Sequence, residues 1–403
     1  MKNVRPLLYV SFDQVPSAKG ASTHIEANAR AIGGRFGSLV LVTPGASDQP
    51  VRDFAPGVRQ IVLGCPDRDV LGRAMTFRAK LRDLLARQAF DVIHFRGIFE
   101  GYPLARSRRT HGASLLYEVN GLPSIELKYA NPRIRGDALL LSRLRSQEDA
   151  CLVAADRIVT VSEVNRRCLL ARGVEAGRIE VIPNGVDLDV FTYQEPPTAR
   201  DEPLRVLYCG TMSFWQGVDQ LLEALPLVRL RLAIHLDLVG PAPRARRDDL
   251  ERRLRRRGLA EVVTFHGAQP RGRVVELLHD AHVCVVPLSA VDRNTEQGCC
   301  PLKLIEAAAA GCPVIASDLP VVRELFRPRE HYHPVAPDDP AGLALALWDV
   351  GEESRERARR ARAHVERHYT WRRSTDALLA VYEGLLATPA SSCARLRSSA
   401  SSE

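Results

Sequence analysis

The 403-residue chain has no apolar stretch near the roughly 18 residues that a membrane-spanning helix needs, and no leader-like segment stands ahead of its first apolar run. It has no G-x-G-x-x-G, so dinucleotide binding of that kind has no support. Nine cysteines (65, 151, 168, 209, 284, 299, 300, 312 and 393) show no metal-ligand spacing and lie mostly in apolar runs, the pattern of reduced, structural thiols in a cytosolic protein. The adjacent pair Cys299-Cys300 reads either as a tight loop or as a redox-labile couple. Aromatic residues are only 6% of the chain; of the basic clusters at Arg106–Arg109, Arg244–Arg257 and Arg355–Arg373 only the end of the last holds any, Tyr369 and Trp371, and this scarcity argues against nucleic acid as a partner. Those clusters carry much of the net charge of +8. They read as solvated helix faces or, alternatively, as a peripheral contact with an anionic membrane surface.

What is present suits two domains: 45% apolar residues, and strands alternating with helices on both sides of a Pro- and charge-rich stretch at Thr192–Pro203. Strand-like runs fall at Leu7–Ser11, Ser38–Thr43, Arg59–Leu63, Asp91–Phe95, Ser114–Asn120, Arg157–Ser162 and Ile179–Pro183, then at Leu204–Cys209, Ala233–Val239, Val262–Phe265 and Val283–Pro287. Helices are expected over Leu71–Ala89, Gly136–Ala154, Arg244–Arg257, Ala341–Val350, Arg355–Tyr369 and Trp371–Leu386, the first and last of them amphipathic.

The most informative stretch is Cys299–Asp318, CCPLKLIEAAAAGCPVIASD. Leu304 to Ala310 are strong helix formers, and Pro301 suits a first turn, where a missing N–H costs nothing. Gly311 stands where a left-handed C-cap belongs, Pro313 blocks continuation, and Val314–Ala316 form a short strand. The helix start favours an anion, Lys303 adds a full positive charge, and Glu306 shares that face one turn on. A phosphate at the start and two hydroxyls one turn along describe a ribonucleoside diphosphate. The plainer alternative is a surface Lys–Glu pair.

In the first half, a loop from Phe12 to Ser22 contains Gly20 and leads to a helix whose Thr23 and Glu26 fit a capping box. His24 is then either an exposed first-turn histidine or an acceptor contact. Arg96 ends the strand Asp91–Phe95, where ligands gather in open α/β sheets, and His94 within that strand reads as a core histidine. Glu118 and Asn120 share one face of their strand. An acid in an apolar strand is unusual; Glu118 would handle protons if it faced a site, and Asn120 would not.

Glu306 and the tail AAAAGCPVIA resemble the donor-site signature of the GT-B retaining glycosyltransferases of the glycogen-synthase-like family 4: Glu, seven residues, Glu, then Ala-x-Ala-x-Gly-x-Pro-Val-Ile-Ala. The first Glu slot holds Gly298, and the sequence is similar instead to a bacterial branch with Pro-Leu-Lys-Leu (Pro301, Leu302, Lys303, Leu304) before the second Glu. Asn184-Gly185-Val186-Asp187 with Phe191 matches a further family pattern, read here as a structural turn. Family members commonly place an Arg and a Lys on the donor diphosphate after Gly210; this chain has Thr211 and Gln216 there. Many members also end the strand at Glu118 and Asn120 in Thr-x-His.

The resemblance implies two doubly wound Rossmann-like α/β domains facing across a cleft: residues 1–191 on the acceptor side, a linker at 192–203, a nucleotide-sugar-binding domain at 204–370, a helix at 371–387 crossing back, and a disordered tail at 388–403. It implies retaining, metal-independent transfer from a UDP- or GDP-linked sugar, without a cofactor, to a glycan, lipid-linked or small-molecule acceptor. Lys303 and the helix start would stabilise the leaving diphosphate, with Thr211 and Gln216 shifting more of that burden onto them. Glu306 would hold the ribose; Gly20, His24 and Arg96 would face diphosphate and acceptor; Glu118 and Asn120 would stand near the chemistry. Glu296, beside the Gly298 slot, is a contact to the donor sugar or an exposed loop carboxylate. A bacterial cell-surface glycan or glycolipid pathway at the cytoplasmic face is the implied setting. The rivals are a non-catalytic sugar-binding scaffold of the same fold, favoured by Thr211, Gln216 and Gly298, an epimerase, and a natural-product transferase.

Overall fold

A computed structural model describes residues 5–17, 19–67, 69–130, 132–198 and 203–387. The expected disordered tail and residues 199–202 of the expected linker lie outside these.

Strands whose residues are all apolar must be covered on both faces, and the first sheet shows it. Its strands are β1 (Leu7–Val10), β2 (Leu39–Gly45), β3 (Arg52–Ala55), β4 (Val58–Gly64), β5 (Val92–Phe95), β6 (Ser114–Val119), β7 (Arg157–Thr160) and β8 (Ile179–Val181). They lie in the order β3-β4-β2-β1-β5-β6-β7-β8. All neighbours are parallel except β3, which pairs antiparallel with β4 at the edge. No apolar run marks β3: Arg52 and Asp53 are exposed, as an edge strand permits.

The second sheet is parallel throughout, β11-β10-β9-β12-β13-β14, from β9 (Leu204–Cys209), β10 (Ile234–Val239), β11 (Val263–Gly267), β12 (Val283–Val286), β13 (Val314–Ser317) and β14 (His333–Val335). Strand order reverses between β1 and β5 in the first sheet and between β9 and β12 in the second. Ligand crevices of open α/β sheets open beyond the carboxyl ends of such strands.

Four helices shape the space between the sheets: α1 (Gly20–Phe36), α2 (Arg271–Asp280), α3 (Leu302–Ala310) and α4 (Trp371–Ala387). Ile25, Ala29 and Ile32 of α1 pack with Leu378, Val381 and Tyr382 of α4 against Leu7, Tyr9 and Leu116 of the first sheet. The last helix therefore crosses back to the first lobe. Its Tyr382 is fully buried, with its hydroxyl 2.9 Å from His94 Nδ1. The lobes also share a core, in which Val161, Val164, Val186 and Phe191 pack with Leu304, Ala307 and Ala308 of α3. Gly185 explains its motif: a Cβ there would lie 2.3 Å from the backbone N of Trp371, where the chain of the crossing helix passes.

Of the basic clusters, the helix Arg244–Arg256 is laced with ion pairs: Arg246 and Arg253 grip Asp219 of the neighbouring helix, and Arg247 pairs with Glu251. Eight free cysteines are described, six of them buried.

Candidate active site between the two sheets

The two switch points face each other across a cavity of about 740 Å³. The chain leaving β1 turns into α1, and the chain leaving β12 reaches α3 after one loop. The starts of the two helices meet in the cleft: a Cβ on Gly20 would stand 3.0 Å from Leu302 Cδ1. Two helix N-termini thus add their partial positive charges at one place. The capping box expected at Thr23 and Glu26 is not formed. The N-cap is Lys19, four residues before Thr23, with no side-chain cap bond, and Glu26 accepts from Ser22 Oγ at 2.8 Å.

Lys303 lies in the first turn of α3, 9% exposed, on the cleft wall. Its ammonium donates to Gln216 Oε1 at 2.6 Å and to Tyr208 OH at 3.0 Å, and sits 4.2 Å above the Tyr208 ring. Both partners are neutral, so they orient the charge without cancelling it, and a third N–H is left over. Gly210 makes room: its φ is +145°, and a Cβ would lie 2.8 Å from Lys303 Nζ. Burial lowers the Lys303 pKa to about 8, against the raising effect of nearby thiols and Glu306. Burial raises Glu306 to about 7, offset by Arg271 and then Lys303. Thr211, Pro301, Leu302 and Glu306 share this wall. Leu304, expected on the donor side, does not line the cleft: it is 1% exposed and packs in the core, because a residue one step past Lys303 points about 100° away around the helix.

On the facing wall, His24, Arg96 and Asn120 line the cleft, but Glu118 does not. Glu118 is 1% exposed. Tyr9 OH donates to its Oε2 at 2.8 Å and Arg96 Nε to its Oε1 at 2.8 Å; His94 Nε2 is 3.1 Å away, and Asn120 Nδ2 also donates to Oε1. Burial works against its charge, yet Arg96 and then His24 hold its carboxyl well below the usual range. It is a fixed counter-ion with no open oxygen, which corrects the expectation that it handles protons. Arg96 is spoken for in turn, by Glu118 and by Asp13 at 3.1 Å. His24 is not an exposed first-turn residue. It is 8% exposed, with Nδ1 2.7 Å from Asn184 Oδ1 and Nε2 2.9 Å from Glu118 Oε1.

Of the two loop positions weighed as donor-sugar contacts, neither lines the cleft, and Glu296 takes its other reading, an exposed loop carboxylate. Glu296 is exposed and lines a separate 440 Å³ pocket with Arg145 and Arg167, because a π-helical turn over Arg293–Gln297 swings it outward. Gly298 is buried with φ +89°, and a Cβ would lie 2.7 Å from the backbone N of Asn165 in the other lobe. Its slot is a lobe contact, secured by Asn165 Nδ2 donating to Gln297 O at 2.5 Å. Sequence reasoning also missed three cleft residues. Asn184 ties the lobes, donating from Nδ2 to Cys300 O at 2.8 Å. Arg293 pairs with Glu126 at 3.2 Å, and Arg271 donates to Thr23 Oγ1 at 3.0 Å. The Asn184 motif was visible as a turn, whereas nothing local marks either arginine.

Residues 203–353 match the family described as "Glycosyl transferases group 1", and residues 18–190 match "Glycosyltransferase Family 4", one on each lobe. The chain is a GT-B glycosyltransferase of the group 1, family 4 type. Among curated relatives, D-inositol 3-phosphate glycosyltransferase of Xylanimonas cellulosilytica is 27% identical over 401 residues, covering 91% of each chain. Among solved structures, sucrose-phosphate synthase from Thermosynechococcus elongatus superposes with a TM-score of 0.80 at 24% identity, covering 95% of this chain and 99% of the other. HepE of Anabaena in complex with UDP-glucose follows at 0.70 and 16%, covering 94% and 100%. In this glycosyltransferase the cleft offers what such a transfer needs: a positive pole from two helix starts and an ammonium, with a carboxylate one turn away.

Proposed function

We propose that the glycosyltransferase moves a sugar from a nucleoside-diphosphate donor to an acceptor hydroxyl with retention of configuration and without a metal ion. The observation that carries the proposal is the start of α3. Lys303, held by two neutral partners, and the positive end of the helix face the same space as the start of α1. A diphosphate there gains charge-assisted hydrogen bonds as its bond to the sugar breaks and its negative charge grows. Glu306, one turn along, accepts from the ribose hydroxyls. The pyrophosphate oxygen then takes the proton of the acceptor hydroxyl on the same face, a role Glu118 does not fill because it is sealed in ion pairs behind the wall. Asn120 and His24 border the acceptor side.

The curated relative named above is a D-inositol 3-phosphate glycosyltransferase, and a superposed structure holds UDP-glucose. A UDP- or GDP-linked donor, and an acceptor in bacterial cell-surface glycan or glycolipid synthesis on the cytoplasmic side, fit this chemistry. No helix among the described residues is long and apolar enough to cross a membrane. The test is nucleoside-diphosphate release from a panel of nucleotide sugars, followed by an acceptor screen and NMR of the anomeric proton in the product. A product with the donor's anomeric configuration, formed in excess chelator, supports the proposal. An inverted product, or turnover that chelator abolishes, contradicts it.

A further inference from the structure

The cleft holds fewer free cations than its composition suggests. Of the basic side chains that line it, Arg96 is bound to Glu118 and Asp13, and Arg293 to Glu126. Lys303 is engaged with Gln216 and Tyr208, and Lys19 stands exposed at the N-cap of α1. Arg271, like Lys19, differs from the other three, and unlike Lys19 it reaches across to the opposite wall. It sits in the first turn of α2, is exposed, and forms no ion pair with a carboxylate among the described residues; its one hydrogen bond goes to Thr23 Oγ1, on the opposite wall.

The helices fix where this guanidinium lies. Thr23 is one turn of α1 beyond Gly20, and Glu306 is one turn of α3 beyond Leu302 and Lys303. Gly20 and Leu302 mark the point where the two helix starts meet. Arg271 bonds Thr23 on α1, is the leading charged influence on Glu306 of α3, and lines the same cavity as Gly20, Leu302 and Lys303. A diphosphate at the meeting point lies within the reach of a rotated arginine side chain. The hydroxyl of Thr23 is a weaker partner for a guanidinium than a phosphate oxygen, to which arginine bonds in bidentate fashion.

We infer that Arg271 is a second cation for the donor diphosphate: it holds Thr23 across the cleft and transfers its hydrogen bonds to the phosphates when donor enters. It thereby supplies charge that Thr211 and Gln216 do not. This rests on the proposed donor site at the start of α3.

The test is calorimetric titration of the full chain with UDP, GDP and ADP, and with the matching nucleosides, to find the base that binds and to isolate the phosphate contribution. Arg271→Ala should weaken diphosphate affinity about tenfold or more and leave nucleoside affinity unchanged, with Arg271→Lys in between. Thr23→Val should leave diphosphate affinity within about twofold, because it removes only the resting partner. Equal losses in Arg271→Ala and Thr23→Val would make the arginine a lobe tie and overturn the inference. So would full affinity in Arg271→Ala alongside loss in Lys303→Ala. Full affinity in both Arg271→Ala and Lys303→Ala would bring down the donor site itself. Arg271 is exposed, and unchanged thermal unfolding of its variants verifies that the fold is intact.

Discussion

Replacing Glu118 by Gln keeps the shape of the side chain and deletes its charge. Arg96, 8% exposed in its side chain, then loses its buried partner and keeps only Asp13, whose side chain is 45% exposed. Removing one member of a buried pair costs about 3–5 kcal/mol; with Asp13 still 3.1 Å away, the low end, about 3 kcal/mol, applies. A loss of 1 kcal/mol moves the midpoint of a 150–250-residue unit by about 2–4 °C, so unfolding of the first lobe should begin about 6–12 °C earlier. Acid should expose the same carboxylate. Its pKa is depressed in the folded state, so its stabilisation is complete above the unfolded value of about 4.3 and is lost as pH falls through the lower folded value. The variant should lack that part of the acid sensitivity. Circular dichroism melts from pH 3 to 8, with turnover at a temperature where both proteins are folded, separate the possibilities. A counter-ion predicts a lowered midpoint with kcat within about tenfold of the parent. An unchanged midpoint with kcat reduced by the 10²–10⁴ typical of a lost acid or base would refute the structural role.

Two more outcomes come from the cleft. The pH profile of kcat/KM should be bell-shaped and narrow: Glu306 accepts from ribose when ionised, above about pH 7, and Lys303 stays charged below about pH 8, so a plateau extending through pH 9.5 would contradict the assigned charges. Gly298→Glu, which installs the residue the family pattern carries, should destabilise rather than activate, by roughly 2–4 kcal/mol in a urea titration, because a left-handed φ and an approach of 2.7 Å to Asn165 N both oppose a side chain. A stable, faster Gly298→Glu enzyme would show that the slot opens to the donor.

Five of the six strands of the second sheet and the α3 segment were legible in the sequence because each rests on local chemistry; the edge strand β14, HPV, has no apolar run to mark it. The strand Leu204–Cys209 has the expected bounds, and Gly311 adopts the left-handed C-cap its position called for, with φ +85°. Lys303 and Glu306 follow from a spacing of one turn. The facing wall was harder to read. Glu118 looked available because alternation assigns a face and says nothing of what covers it; its partners Tyr9, His24 and Arg96 come from three other segments. The start of α1 was misplaced because a Thr-x-x-Glu pattern occurs inside the helix as well as at its end. For Gly298 and Glu296 the sequence did not decide between readings, because a π-helical turn and a lobe contact set their directions, and neither leaves a periodic signal. Arg271 reaches its place through the parallel pairing of β10 with β11, which lies outside any local pattern.

The central claim is that one ammonium at the front of α3 bears much of the diphosphate charge. Lys303→Met keeps the stem and removes the charge while Tyr208 and Gln216 remain. Calorimetry with the preferred nucleoside diphosphate, run beside its nucleoside, measures the difference directly. The account predicts a diphosphate Kd raised about tenfold to a hundredfold, as for a lost charge-assisted hydrogen bond of about 1.5–3 kcal/mol, with nucleoside binding unchanged. Equal diphosphate affinity in the parent and Lys303→Met would contradict it.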